Sequence, residues 1–446
     1  MFADPRAGQA RWATARSPSA VASRRPCRSG LLQEPAPDTT STSAAAPSRI
    51  AGTGKGALLG AIFLMATSAI GPGVITQTTV FTNQLGAAMA FAILISVVVD
   101  IGVQLNVWRV IGITGLRAQD LANAVLPGLG YVLTALVVFG GLVFNIGNIG
   151  GTALGANAML GVDAKIGGAV SALVAVAIFL SKRAGVAMDR IVVVLGVAMI
   201  AMVSWVAFTS NPPVGDALKQ TVVPEQVDFL IIVTLIGGSV GGYITYAGAH
   251  RLVDSGITGP DEVESISRGS VTAVVVAGIM RVALFLAILG VVAGGFELAK
   301  DHPTASAFEH ALGHAGVVVF GVILWAASIT SVIGASYTSV SFLATFTPWL
   351  TRYRNWLVVG FILVSTLIFV SVDQTPVTLL ILAGALNGLI LPVGLGIILW
   401  VALRRRDLLG GYRYPIWLGV VGLAIWVLSL YLGWESLAGI TDLWQQ

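Results

Sequence analysis

Two hydrophobic stretches decide the fold of this chain. Residues 56–81 read GALLGAIFLMATSAIGPGVITQTTVF, and residues 228–253 read DFLIIVTLIGGSVGGYITYAGAHRLV. Glycine interrupts both, at Gly71-Pro72-Gly73 and at Gly241-Gly242, 170 residues apart (241 − 71). Proline removes a helical hydrogen bond and glycine weakens a helix, so we expect each stretch to be two half-helices. In hydrocarbon, unpaired backbone groups are tolerated where they line a protein-enclosed cavity, and paired breaks indicate a secondary transporter's binding site.

The composition places the chain in a membrane. Of the 446 residues, 56% are hydrophobic and only 10% charged, where a soluble domain has about 25% charged residues. The single cysteine, Cys27, excludes disulfides and thiolate metal sites. The basic residues are spread over loops, so the high pI does not indicate a nucleic-acid partner. The expected partners are the lipid bilayer and a small-molecule or ion substrate.

Residues 1–55 are rich in Ala, Ser, Pro and Arg, without apolar periodicity. This pattern predicts a disordered cytoplasmic N-terminal tail. The segment lacks the apolar core of a secretory signal, which leaves a transit peptide, an over-long gene start or a plain cytosolic tail.

The remainder divides into about eleven hydrophobic spans. They lie near residues 56–82, 87–108, 128–150, 163–181, 187–209, 228–254, 269–294, 314–346, 355–372, 375–403 and 413–434. Thirteen Lys and Arg fall in loops on one side, against Lys165, Lys219 and Lys300 on the other. This count predicts a cytoplasmic N-terminus. We expect the protein to lie in an inner or plasma membrane.

The spans predict an all-α protein with a five-plus-five inverted repeat. Residues 56–209 would form one repeat, 228–403 the other and 413–434 an extra helix, followed by a tail at 435–446. An odd number of spans per repeat inverts the second copy, which is a common transporter architecture.

Backbone groups and neutral side chains at the two breaks are the candidate substrate-binding residues. At the first break these are Gly71, Gly73, Thr76 and Gln77, and at the second Ser239, Gly241, Gly242 and Tyr243. The half-helix after Gly73 would offer N–H groups and a positive dipole end to an anion. The alternatives are a proline kink at the first break and close helix packing through Gly237-Gly238 at the second.

Further polar residues lie inside other spans. Asn145 and Asn148 in span three would line the site or join helices. Asn387 in span ten would act as a gate or kink that span. Ser331 and Tyr337 belong to a polar face of span eight that suits a pathway or a coupling-ion site. The alternative for that face is hydroxyls bonded back to their own helix.

Two ionisable residues lie within spans, Asp100 in span two and Arg281 in span seven. Charges there are costly and indicate a functional role with a partner, such as a proton relay or an anion-binding arginine. A static Asp100–Arg281 ion pair is the alternative. His250, with Arg251 at the inner end of span six, is a proton exit or, as we favour, an ordinary interfacial charge.

Several classes of protein are disfavoured. The spans hold no cluster of His, Met and carboxylates typical of a transition-metal site, and the chain has no P-loop and no Ser/His/Asp arrangement. We therefore expect neither an enzyme nor a cofactor. An ion channel is a competing class, although the chain lacks a repeated filter sequence.

With these residues considered, the chain resembles the Nramp family over roughly residues 56–434. The resemblance rests on IGPGVITQTTVFTNQLGA, IGITGLRAQDLAN, HRLVDSG, ASITSVIGASYTSVSF and LNGLILP. It implies the leucine-transporter fold and proton-coupled divalent metal transport.

The departures from the family fall on its metal site. Nramp metal transporters carry Asp-Pro-Gly-Asn in the first span, where this chain has Gly71-Pro72-Gly73-Val74. They carry Met-Pro-His in the sixth span, where this chain has Gly241-Gly242-Tyr243-Ile244, and acidic residues in span three are replaced near Asn145 and Asn148. We therefore favour a small polar or anionic organic solute as cargo, coupled to H⁺ or Na⁺. Divalent metal transport, especially of hydrated Mg²⁺, is the alternative.

Overall fold

The computed structural model describes residues 71–445. The predicted tail at 1–55 and the first half of span one lie outside this range. Fifteen α-helices occupy the described part of the chain. They are α1 Pro72–Leu85, α2 Met89–Thr114, α3 Ala118–Val125, α4 Leu129–Leu160, α5 Ala164–Leu180, α6 Lys182–Thr209, α7 Val214–Val222, α8 Phe229–Val240, α9 Ile244–Asp254, α10 Val263–Ala293, α11 Pro303–Ala344, α12 Pro348–Arg352, α13 Arg354–Ser371, α14 Pro376–Arg404 and α15 Ile416–Gln445. Short 3₁₀ turns precede α2 and α10, and no strand occurs in residues 71–445.

The helices account for the predicted spans. By length and composition, the described residues contain eight segments able to cross a membrane, or nine with the bent α6–α7 pair. One of the eight, Pro72–Thr114, covers the rest of span one together with span two, and the apolar α5 has only 17 residues and corresponds to span four. The helix set is therefore roughly consistent with the eleven predicted spans.

The second break has the predicted position. Helix α8 ends at Val240, α9 begins at Ile244, and Gly241 between them is extended (φ −82°, ψ 161°). Gly242 has φ +55°, a conformation that glycine adopts at little cost. At the first break, extended Gly71 precedes α1, which begins at Pro72, two residues before the predicted start after Gly73. Proline at the first helical position loses no hydrogen bond, which explains this start.

Some boundaries differ from the prediction. Helix α4 continues to Leu160, ten residues past the predicted end at 150, and α10 begins at Val263 instead of 269. The Gly-rich end of α4 stays helical because it packs closely, with Gly155 directly against the backbone of Trp325 in α11. Gly313, with φ +68° and ψ −168°, interrupts α11, so the part that corresponds to span eight begins near 314 as predicted.

Helices α8 and α14 meet backbone to backbone. A Cβ atom on Gly237 would overlap the Gly384 carbonyl and the Gly388 amide. The alternative reading of Gly237 as a packing residue is therefore correct. This contact brings α14 close to the second break, where the polar residues of the next section gather.

Candidate transport site

Gln77 connects the first break to the second repeat. The side chain is fully buried, and its Nε2 atom donates a hydrogen bond to the Leu380 carbonyl of α14 at 3.0 Å. Its Oε1 atom lies against Gly238 of α8 and has no hydrogen-bond partner in the protein. A buried amide oxygen without a partner is costly, so this atom is available to a bound solute or ion.

Asn387 of α14 lies against the second break. Its Nδ2 atom donates to the carbonyls of Gly140 at 3.0 Å and Ala383 at 2.8 Å. Its Oδ1 atom lies beside Gly140 and Gly242 without a partner. The Asn387 amide joins α14 to α4 and faces the break. Its position therefore does not depend on a kink in α14.

Tyr243 and Asn148 lie together at the same place. Tyr243 is 1% exposed, its ring packs edge-on against Phe144, and its hydroxyl group lies near the Asn148 side chain. The Asn148 Nδ2 atom has no hydrogen-bond partner within bonding distance. Asn145, by contrast, donates to the Ser365 hydroxyl of α13 at 3.0 Å and so joins two helices.

The remaining residues at the breaks have simpler surroundings. Thr76 lines a cavity of about 10 Å³ beneath residues 302–305, large enough for about one water molecule. A Cβ atom on Gly73 would be in ordinary contact with the Gln77 amide, and Gly151 of α4 lies directly against Pro72 and Ser328. Ser239 donates to the Leu235 carbonyl of its own helix. The structure thus gathers Gly73, Gln77, Gly242, Tyr243, Asn148 and Asn387 near the breaks.

Asp100 and Arg281 face each other within the bundle. Arg281 Nη1 lies 3.9 Å from Asp100 Oδ2, and the side chains are 2% and 4% exposed. The Ser239 side chain of α8 also interacts with Asp100. The predicted pairing is therefore present, and it lies beside the second break rather than apart from it.

The expectation that His250 is an ordinary interfacial charge is wrong. It is 4% exposed, and its Nε2 atom accepts a hydrogen bond from the Ala118 backbone N–H at 3.1 Å. Its ring packs against Tyr246 and Phe342. Because an accepting Nε2 atom carries no proton, the hydrogen resides on Nδ1, which has no partner. The ring is held here by α3, which follows directly after span two.

The polar face of span eight serves mainly the helix itself. Ser328, Thr330 and Ser336 donate to carbonyls of their own helix, as the structural alternative predicted. Ser331 is buried, and the Tyr337 ring lies 4.0 Å from the Arg354 guanidinium carbon. Ser339 is the exception, since its hydroxyl lies against Gly141 without a partner.

Two sets of residues were missed from sequence. Arg117 forms an ion pair with Asp254 at 2.5 Å and donates to the Ser341 carbonyl, which ties the loop after α2 to the end of α9 and to α11. Both Arg117 and Asp254 lie in stretches quoted above, LRAQD and HRLVDSG, so their charges were the available signal. Gln104 and Trp108 are fully buried with unpartnered polar atoms, and a glutamine inside an apolar span was the signal for the first.

Apolar helices with interrupted spans, and unpartnered polar groups where they are interrupted, define a secondary transporter of the broken-helix class. The model for Natural resistance-associated macrophage protein-like (Nramp) proteins matches residues 62–438. The chain belongs to the Nramp family of membrane transporters, which confirms the resemblance.

Two bacterial membrane proteins are similar to this chain over most of its length. The membrane protein YcsG of Bacillus subtilis is 49% identical over 388 residues, covering 87% of this chain and 96% of its own length. A membrane protein of Haemophilus influenzae is also 49% identical, over 383 residues, covering 86% and 96%.

Solved structures confirm the fold. A manganese transporter of Eremococcus coleocola superposes with a TM-score of 0.68 at 14% identity, covering 89% of this chain and 90% of its own. MhsT in complex with L-phenylalanine superposes with a TM-score of 0.61 at 16% identity, covering 87% and 98%. The all-α architecture predicted from the spans and the leucine-transporter fold implied by the resemblance are therefore correct.

Proposed function

We propose that this protein carries a small polar or anionic organic solute across the membrane by alternating access, driven by an H⁺ or Na⁺ gradient. The supporting observation is the chemistry of the unpartnered atoms at the breaks. Gln77 Oε1, Asn387 Oδ1, Asn148 Nδ2 and the Ser339 hydroxyl are all neutral hydrogen-bonding groups. A mixture of neutral donors and acceptors suits a polar organic molecule, which presents both kinds of group.

The same set of atoms is poorly suited to a dehydrated transition metal. Mn²⁺ and Fe²⁺ are held by carboxylate, imidazole or sulfur ligands that replace their water. Within residues 71–445, no three His, Cys, Asp or Glu side chains come together as a metal site would require. Asp100, the carboxylate near the second break, is already opposite Arg281. Neutral amides alone would bind such an ion weakly.

Helix ends at the breaks favour a negative group on the cargo. Helix α1 begins at Pro72 and α9 at Ile244, so each presents the positive end of its dipole at a break. Discontinuous helices in transporters bind anionic substrate groups at such ends. We infer that a carboxylate of the cargo lies near Gly73 and that Gln77 and Asn387 contact its polar groups.

A divalent cation is the second candidate. The family match and the manganese transporter neighbour favour it, and the free amide oxygens of Gln77 and Asn387 are ligands that a hard cation accepts. Mg²⁺ retains much of its water shell and needs fewer protein ligands than Mn²⁺. Hydrated Mg²⁺ is therefore the form of this alternative that the neutral site would tolerate best.

Thermal-shift measurements on the purified full-length protein separate the candidates. A ligand that binds only the folded state raises its apparent stability by mass action. We expect a shift with a member of a panel of amino, hydroxy and oxo acids, and none with micromolar Mn²⁺ or millimolar Mg²⁺. A metal shift without an organic one would replace the first candidate by the second.

Transport and orientation are tested on the same protein. Uptake of the stabilising compound into proteoliposomes should be slow, saturable and increased by an imposed H⁺ or Na⁺ gradient, whereas single-channel currents would indicate a channel. We also propose that the protein resides in the plasma or inner membrane with a cytoplasmic N-terminus. Protease removal of an N-terminal tag in cells, with and without permeabilisation, tests that orientation.

A further inference from the structure

One face of α2 carries a line of buried polar residues. Ser96, Asp100, Gln104 and Trp108 follow each other at intervals of four, which places them on one side of the helix. All four are between 0% and 3% exposed. The line extends from the ion pair with Arg281 toward the end of α2 at Thr114, which the charge count assigns to the cytoplasm.

Three of these residues have unpartnered polar atoms. They are Oδ1 of Asp100, both amide atoms of Gln104, and Nε1 of Trp108. Leaving a buried polar atom unpaired is destabilising, so four such atoms on one helix face require a reason. Ordered water along the face would satisfy them, since buried waters typically bond to polar groups that lack a partner in the protein.

The ion pair itself is incomplete. Arg281 Nη1 donates to the Ser96 hydroxyl at 2.8 Å, and its distance to Asp100 Oδ2 is 3.9 Å, so the direct hydrogen bond goes to serine. Arg281 Nε also lacks a partner. A buried ion pair is stable when hydrogen bonds complete both groups, and this pair does not meet that condition. Asp100 and Arg281 each therefore have an atom that is free to bond to another partner.

We propose that Asp100 binds the coupling proton, and that water beside Gln104 and Trp108 connects it to the face of the membrane where α2 ends. This inference rests on the proposed ion-coupled transport and selects the ion. Trp108 packs directly on Gly248 of α9, so the line follows the second half of the broken span. Movement of α9 would therefore open or close this path.

The surroundings of Asp100 favour a proton over Na⁺. Of the helices packed against α2, α10 brings the charged Arg281 to Asp100 and α8 brings Ser239, and the described parts of α1, α7, α9, α14 and α15 bring no other charge to it. Because Arg281 lies 3.9 Å from Asp100, its charge opposes any positive charge added there. A proton overcomes this by bonding covalently to one oxygen, whereas Na⁺ must be held by several. The Ser96 oxygen is already occupied by Arg281.

Protonation of Asp100 would be felt at the break. Ser239 donates its own hydroxyl hydrogen to Leu235, so its oxygen can accept one from a protonated Asp100. Ser239 lies in the last turn of α8, two residues before Gly241 at the break. Gain or loss of the proton therefore changes an interaction directly next to the candidate cargo site.

Infrared titration of the full-length protein in nanodiscs tests the proton assignment without any cargo. We expect a buried carboxylic-acid band that changes with pH in wild type, is absent in Asp100→Asn and persists in Asp373→Asn, whose carboxylate is exposed. If Asp100→Asn fails to fold, the charge-balanced Asp100→Asn/Arg281→Gln variant takes its place. A titrating band that remains in Asp100→Asn, or in the double variant used in its place, would overturn the proposal.

The water path and the ion have their own measurements. Gln104→Leu should slow hydrogen–deuterium exchange of the Asp100 band at least tenfold, and Gln220→Leu, in α7, should not. Equal exchange rates of the Asp100 band in the two variants would refute the proposed water path. Stabilisation of wild type by NaCl over choline chloride that disappears in Asp100→Asn would overturn the choice of proton. Failure of every organic acid to bind would refute the cargo proposal but leave this titration unchanged.

Discussion

The side-chain oxygen of Asn387 occupies the space where Gly242 would carry a Cβ atom. Helix α14 thus packs its amide into the gap between α8 and α9, and the gap is accessible only because residue 242 has no side chain. This relationship ties the tenth span to the broken sixth span at the level of single atoms. It also provides a direct way to disturb the candidate site.

Gly242→Ala should reduce uptake by at least tenfold. The added methyl group would displace Asn387. An alanine at the positive φ of residue 242 also costs about 1 kcal/mol of backbone energy. Gly256→Ala is the matched control, because Gly256 also has positive φ (+72°) but open space around it. Proteoliposome uptake at equal protein loading makes the comparison, and equal activity of the two variants would refute our placement of the site.

Gln77→Leu should abolish cargo binding while lowering stability by only about 1 kcal/mol. The substitution removes one hydrogen bond to the Leu380 carbonyl and the unpartnered oxygen at the break. Ligand-induced thermal shift and the unliganded melting temperature separate the two effects. Gln220→Leu, which alters an amide in α7 away from the breaks, should retain the shift. A normal shift in Gln77→Leu would exclude this residue from the site.

Arg117→Gln should loosen the connection between α9 and α11 with little change in overall stability. Partly exposed ion pairs contribute about 0–1 kcal/mol, but Arg117 also donates to the Ser341 carbonyl. Amide hydrogen exchange should increase at the end of α9 and in α3. Arg268→Gln, which breaks an exposed pair with Glu264, should leave these regions unchanged. Unaltered exchange in the Arg117 variant would show that this contact does not hold the helices.

Thr304→Val should weaken the contact between α1 and the start of α11. The Thr304 hydroxyl donates to the Thr79 hydroxyl at 3.0 Å, both side chains being buried, and the contact lies near the small cavity reached by Thr76. We expect a loss of about 1 kcal/mol in stability. Thr272→Val, where the exposed hydroxyl bonds only to its own helix, should lose less. Equal melting temperatures for the two variants would contradict this reading.

Much of the fold was predictable because hydrophobic length and glycine breaks are local signals. Span limits, the break at Gly241-Gly242 and the start of the second half of span one follow from backbone chemistry that acts within a few residues. The end of α4 at Leu160 was missed, because only the close packing of Gly155 against Trp325 keeps that segment helical. Tertiary contact overrides weak helix propensity there.

The candidate site was predictable in composition but not in its contacts. Polar residues within apolar spans pointed to Gln77, Asn387 and the Asp100–Arg281 pair. Sequence could not show that Asn145 joins α4 to α13 while Asn148, three residues later, lies beside Tyr243. Those differences depend on which helix each face meets. His250 was misjudged for the same reason, since its partner, Ala118, lies 132 residues away.

The backbone contact between α8 and α14 constrains how this protein can evolve. At Gly237, Gly384 and Gly388 even a single methyl group would force two helices apart, so these positions have almost no neutral alternatives. Asn148, which lies on α4 beside Tyr243, is near the second break and takes no part in that contact. A lineage built on this scaffold can therefore exchange one cargo for another through a few side-chain replacements, while the path of its helices is inherited unchanged.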